Sequence, residues 1–191
     1  MTTRLLLSCA AIAVVLGLAS IPNAYLFNLL AVTAPWALGV ATIGYILPGV
    51  LAQAALRRGG VGLLTQLLAG LVATPFVPTG VAALIAWVLL GILIELPFLI
   101  GLYRYWKPWL FWVSAVWVTA FYAFYWGLYY DSPASGPLVL FGQPAVLLAA
   151  MLLTTALALL LARLIARTGA LRGIQAPVDR RKRRAAEPSA A

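Results

Sequence analysis

Histidine is absent from this 191-residue chain, cysteine occurs once, and four acidic residues stand against thirteen lysines and arginines. Each absence closes a chemistry. Without histidine there is no Ser–His or Cys–His dyad, a lone cysteine forms no internal disulfide, and zinc and haem lose their usual ligands. No phosphate loop and no carboxylate pair is present, so neither an enzyme nor a resident metal or cofactor is expected. Charge of either sign is also scarce, at 9% of residues against about 25% in a soluble domain.

What the chain has instead is apolar length. Hydrophobic residues make up 64% of it and the mean hydropathy is +1.03, which marks an integral membrane protein embedded in a lipid bilayer. Charge-free stretches run from Leu5 to Leu56, Gly59 to Ile94, Pro108 to Tyr130 and Ser132 to Ala162. A helix needs about 20 residues to cross about 30 Å of hydrocarbon, so the first two stretches each hold two crossings. Pro22 and Pro35 frame a loop or short re-entrant piece containing Asn28, and Thr74–Gly80 reads as a turn. The expectation is an all-α, six-transmembrane-helix bundle with spans near 5–21, 35–56, 61–77, 81–103, 108–130 and 141–166.

The basic residues check that count. Arg4 precedes the first span, Arg57 and Arg58 separate the second and third, and Arg104 and Lys107 separate the fourth and fifth. The rest, from Arg163 to the run Arg180–Arg184, lie at or beyond the end of the sixth. With six spans every cation falls on one side and Asp131 on the other. The positive-inside rule makes the basic side cytoplasmic, with both termini in, at the plasma membrane. Residues 1–168 then form the membrane domain and 169–191 a basic, disordered cytoplasmic tail. The net charge of +9 is a topology signal meeting anionic head groups, not a nucleic-acid site. Met1–Ala24 also has the outline of a signal peptide, but its removal would leave five spans and part the termini. Leu7-Ser8-Cys9-Ala10 resembles a lipobox that starts too close to Arg4.

Glu95 is the one acidic residue inside an apolar run. An ionised carboxylate at the middle of a span costs about 2.5–3.5 kcal/mol on the insertion scale, so it calls for a partner, and a ligand is one candidate. Gly91 lies a turn before it, and Pro97, two residues after it, leaves a backbone carbonyl without its donor. Gln66 stands out among the uncharged polar residues because it lies well inside the short third span. Aromatic residues crowd Trp106–Tyr130. Belts at the two interfaces explain the ends, but Trp117 to Tyr130 covers about 20 Å of helix. Trp117, Phe121 and Tyr125 share one face; Tyr122, Trp126 and Tyr130 share another. Either face, turned inward, forms a stacking surface for a flat or cationic ligand or simply packs. Cys9, Ala13 and Gly17, with Ala10 beside them, form a small-residue strip that lets a helix of this chain or of a partner approach closely.

The stretch from Gly39 to Trp106 resembles the YkoE family, substrate-binding S components of energy-coupling factor (ECF) transporters. The resemblance rests on Gly44-Tyr45-Ile46-Leu47-Pro48-Gly49, Arg57-Arg58-Gly59-Gly60, Gln66–Leu71, Pro78-Thr79-Gly80, Gly91–Phe98 and Tyr103-Arg104. It implies a membrane subunit that takes up thiamine or its hydroxymethylpyrimidine precursor with a transmembrane T component and two cytoplasmic ATPase subunits. Together with the buried carboxylate and the aromatic faces it makes Glu95, Gln66, Trp117, Tyr122, Tyr125 and Trp126 the expected substrate-binding residues, and it implies Ala10, Ala13 and Gly17 as the strip that docks on the T component. Gln66 stands where the family tends to have an acid. Glu95 lies about 21 Å along its helix from the outer end, past the midplane, so the pocket is deep, the helix starts later, or Glu95 couples to transport. The competing readings are a scaffold subunit whose Glu95 pairs with a basic residue of a partner, and a proton-coupled carrier, for which one carboxylate is a poor relay.

Overall fold

The computed structural model describes residues 3–130 and 138–168. Asp131 and the tail at 169–191 lie outside them. The described residues form α1 (Thr3–Ala19), α2 (Ile21–Thr33), α3 (Ile43–Leu56), α4 (Val61–Ala73), α5 (Val81–Ile100), α6 (Pro108–Tyr130) and α7 (Gln143–Arg167). A 3-10 helix at Pro35–Thr42 leads into α3, another at Thr74–Phe76 extends α4, and a π-helical turn at Leu138–Gly142 leads into α7.

Charge and proline place most boundaries as expected. The segment expected as a loop or short re-entrant piece is helical: it is α2. Pro22 does not break the chain there. It sits in the first helical turn, where a missing N–H leaves nothing unpaired and the fixed φ suits the helix. The result is a bend of 42° between α1 and α2. Four helical segments are long and apolar enough to cross a membrane, five if the bent pair counts as one span, and Val61–Phe76 is a shorter apolar helix beside them. Six crossings follow only when that short segment is included. Its 16 residues rise about 24 Å, against about 30 Å of hydrocarbon.

The segment Pro35–Leu56 is the central helix: 72% of its window is buried, against 39–44% in the three other long spans. Residues Pro48 to Leu56 are all buried. Around it stand α1, α4, α5 and α7, with α6 closing the ring between α5 and α7. The turn after α3 and the turn after α5 lie together at one end, joined through Glu95, which accepts from Gly60 N–H and the Tyr103 hydroxyl. This is the basic end, carrying Arg57, Arg58, Arg104 and Lys107.

The small-residue strip finds its partner inside the chain. Leu5, Cys9, Ala13 and Gly17 are the buried positions of α1, and they face α4. A Cβ on Gly17 would stand 2.8 Å from the Ala69 carbonyl oxygen, so only glycine permits this approach. Ala13 is fully buried and Ala10 half-buried. The docking role expected for Ala13 and Gly17 therefore does not fit their positions: an inward, covered face offers nothing to another subunit.

Candidate functional site

At the end opposite the basic turns, the bundle opens into a cleft of about 330 Å³. Ala24, Phe27 and Asn28 of α2 form one wall, and Ala82, Ala83, Ala86, Trp87 and Leu90 of α5 another. Tyr122, Tyr125 and Trp126 of α6 face them, with Thr42, Tyr45, Thr79 and Met151 completing the lining. Small alanines on α5 make the volume and six aromatic rings give it a π-rich surface. The rings brace one another: Tyr45 meets Trp87 edge to face at 5.1 Å, Phe27 lies 5.8 Å from Trp126, and Tyr122 touches Trp126 at 5.5 Å. Asn28 donates to the Ala24 carbonyl and Thr42 to the Gly39 carbonyl, and the oxygen of each side chain is an acceptor by its chemistry. Among the described residues no three His, Cys, Asp or Glu side chains converge.

Of the expected site residues, Tyr122, Tyr125 and Trp126 lie in the cleft. The face of α6 carrying Tyr122 and Trp126 turns inward, with both side chains buried. Trp117 does not join them; it is 42% exposed on the outer surface of α6. Three cleft aromatics escape sequence reasoning. Phe27 lies in the piece expected as a loop or short re-entrant segment. Tyr45 lies in the Gly44–Gly49 motif, which carries the resemblance but gives the tyrosine no role. Trp87 left one signal: it is the single aromatic residue of α5 before Phe98.

Glu95 and Gln66 lie outside the cleft lining, and each has a different task. Glu95 is buried at the basic end beside the start of α4. One carboxylate oxygen accepts from Gly62 N–H at 2.8 Å and Leu63 N–H at 3.2 Å; the other accepts from Gly60 N–H at 3.0 Å and the Tyr103 hydroxyl at 2.8 Å. These are amides of the first turn of α4, which have no partner within the helix and carry the positive end of its dipole. Gly60 at the N-cap has no side chain to satisfy them, so the carboxylate comes from α5. Among the described residues Glu95 thus meets the demand of a buried carboxylate through N–H and O–H donors. Tyr103 reaches it from a strained turn. Leu102 and Tyr103 both have positive φ, 49° and 54°, and Tyr103 N–H donates back to the Phe98 carbonyl at 2.8 Å. This is a Schellman-type end with leucine where glycine is usual. Burial, reinforced by the hydrogen bond to Glu95, pushes the Tyr103 phenol up to about 12.

Gln66 repairs the central helix. Its carbonyl oxygen accepts from Gly49 N–H at 2.9 Å and its amide group donates to the Tyr45 carbonyl. Gly49 and Tyr45 stand four residues apart, the spacing of a helical hydrogen bond, with Pro48 between them. The side-chain amide supplies both an acceptor and a donor at the proline turn. A Cβ on Gly49 would stand 2.8 Å from the Gln66 oxygen, so glycine leaves the room the amide occupies. Through the Tyr45 carbonyl, Gln66 also fixes a residue whose ring lines the cleft.

Against known proteins the chain shows one clear likeness of fold. A crystal structure of an S-component of ECF transporter superposes with a TM-score of 0.80 over 100% of both chains, at 19% sequence identity. No curated protein matches the sequence. Residues 5–121 match the model of a transporter family. With that match spanning more than half of its length, and with the fold of an ECF S component, the chain belongs to the family of ABC-type cobalt transport system permease components.

Proposed function

We propose that this protein is the substrate-binding subunit of an ECF transporter and that its cleft takes a thiamine-type molecule, thiamine itself or its hydroxymethylpyrimidine precursor. The observation that carries the reading is the aromatic cleft of about 330 Å³, which falls in the size range of small-molecule sites. Rings on facing helices suit a flat heterocycle by stacking and a thiazolium by cation–π attraction. The cleft opens at the end away from the basic turns, the outer end under the positive-inside rule. That placement suits capture from outside, with a T component and two ATPases supplying the energy.

The family description names cobalt. A bare divalent ion asks for imidazole, carboxylate or thiolate donors, and the described cleft offers hydroxyls, one amide and aromatic rings. This donor set favours an organic cargo. The scaffold reading, with Glu95 paired to a partner's cation, loses its basis because four donors of the chain itself already meet that carboxylate.

Isothermal calorimetry on the purified subunit tests the proposal with thiamine, hydroxymethylpyrimidine and cobaltous ion in parallel. Saturable binding of one of the two organic ligands, weakened at least about tenfold by Trp126→Ala, or about 1.4 kcal/mol, is the expected result. Binding of cobalt with none of either organic ligand would overturn it.

A further inference from the structure

We propose that the cleft selects by charge, taking the free alcohol of a thiamine-type molecule and rejecting the phosphate ester of the same molecule, a selection that rests on the cargo being of that type. Among the described residues neither a cation nor an acid lines the cleft. Residues 131–137, which join α6 to α7, add no lysine or arginine to the sequence there. A guest meets hydroxyls, one amide and aromatic rings instead. A ring is negative on its face and positive at its edge, so stacked faces attract a thiazolium and repel an anion.

A phosphate monoester brings about −1.5 to −2 charges near pH 7. Held among Tyr122, Trp126 and Trp87, all buried, that charge has no cation to meet it, and an ion out of water without a partner is strongly disfavoured. Left pointing out of the mouth, it gains no more. The rim includes Thr79, Ala82 and Ala86, all exposed. Ala82 and Glu95 stand 13 residues apart on α5, about 20 Å, and the basic turns lie at the level of Glu95 or beyond it. The Debye length at physiological ionic strength is about 8 Å, so Arg57, Arg58, Arg104 and Lys107 do not reach a phosphate at the rim. A chain of net charge +9 thus presents a site with no attraction for anions.

Calorimetry on the full chain in detergent tests the filter with thiamine and hydroxymethylpyrimidine, each as the free alcohol, the acetate ester and the phosphate monoester. The acetate extends the same hydroxyl by a neutral group, which separates charge from bulk. The alcohol that binds and its acetate are expected to agree within about fivefold, with the phosphate at least about tenfold weaker than either. Thr79→Lys, on the exposed rim, is expected to strengthen the phosphate ester by about two- to fivefold, the worth of an exposed ion pair, without strengthening the acetate. Equal affinity for alcohol and phosphate would overturn the filter and leave the proposed function standing. Equal weakening by acetate and phosphate would overturn it as well, since bulk alone would then be excluded, and so would a phosphate affinity unmoved by Thr79→Lys. Binding of neither alcohol would overturn the proposed function and the filter with it.

Discussion

Replacing Glu95 by Gln separates the two tasks a buried carboxylate in a transporter can have. In the parent, both oxygens accept, from three backbone N–H groups and one phenol. In the variant one oxygen becomes an NH₂. With the remaining oxygen left toward Gly62 and Leu63, the new amide group points its hydrogens at Gly60 N–H. The Tyr103 hydroxyl can rotate to accept, but the Gly60 amide cannot, and a buried unpaired donor costs about 1–3 kcal/mol. Loss of the negative charge from the positive end of α4 adds about 0.3–1 kcal/mol, more in a partly buried setting. The opposite amide orientation is worse, because it deprives two N–H groups instead of one. The sum is about 2–4 kcal/mol of stability, read as a lower Tm in detergent, with ligand affinity changed less than about threefold. Thermal unfolding and calorimetry on the same preparation measure both. An unchanged Tm accompanied by a tenfold or greater loss of thiamine affinity would refute the capping argument and return Glu95 to the ligand.

Other changes follow from the same geometry. Gln66→Glu, ionised, sets an oxygen against the Tyr45 carbonyl in place of a donor; it is expected to lower Tm and weaken thiamine binding by loosening Tyr45, whereas a change in neither would remove its role at Pro48. Gly17→Leu drives a side chain into the Ala69 carbonyl, so it is expected to reduce folded yield and Tm by an overpacking loss of about 1–3 kcal/mol; a normal Tm with impaired T-component co-purification would restore the docking role. Tyr103 titrates near 10 when unfolded and near 12 when folded, so its contribution is complete below pH 10 and declines as pH rises toward 12. Tyr103→Phe is expected to flatten that part of the stability–pH curve, and a parallel curve would refute the assignment. Trp117→Ala, on the outer surface, is expected to leave affinity within about twofold, while Tyr122→Ala lowers it.

The spans were legible because hydrocarbon thickness and charge act on composition, which any sequence displays. Arg57-Arg58 and Arg104-Lys107 marked two turns that the structure brings together. That the piece containing Asn28 is helical is not legible, because proline has two meanings, breaker in a helix interior and starter in its first turn, and periodicity over so short a segment does not separate them. Glu95 announced that it needed a partner. Three of its four partners are backbone amides, which are chemically the same at every position and leave no mark in the sequence; the fourth is the Tyr103 hydroxyl. Gln66 was singled out correctly as unusual, but an amide that mimics a peptide group looks in the sequence like one that holds a ligand. Of the cleft, α6 contributed a legible aromatic face. Its other walls depend on which helices become neighbours across the bundle.

The short α4 also has a mechanical consequence. A wall of about 24 Å next to spans of about 30 Å leaves about 6 Å of mismatch. Leu71, half exposed near its far end, faces the surroundings there. Lipid beside α4 must compress or tilt, at a fraction of a kcal/mol per Å, while lipid beside α5 need not. The protein therefore sits in a lopsided elastic field that favours thin bilayers and neighbours able to fill the dip. Acyl-chain length becomes a variable that acts on this fold without touching any of its side-chain contacts.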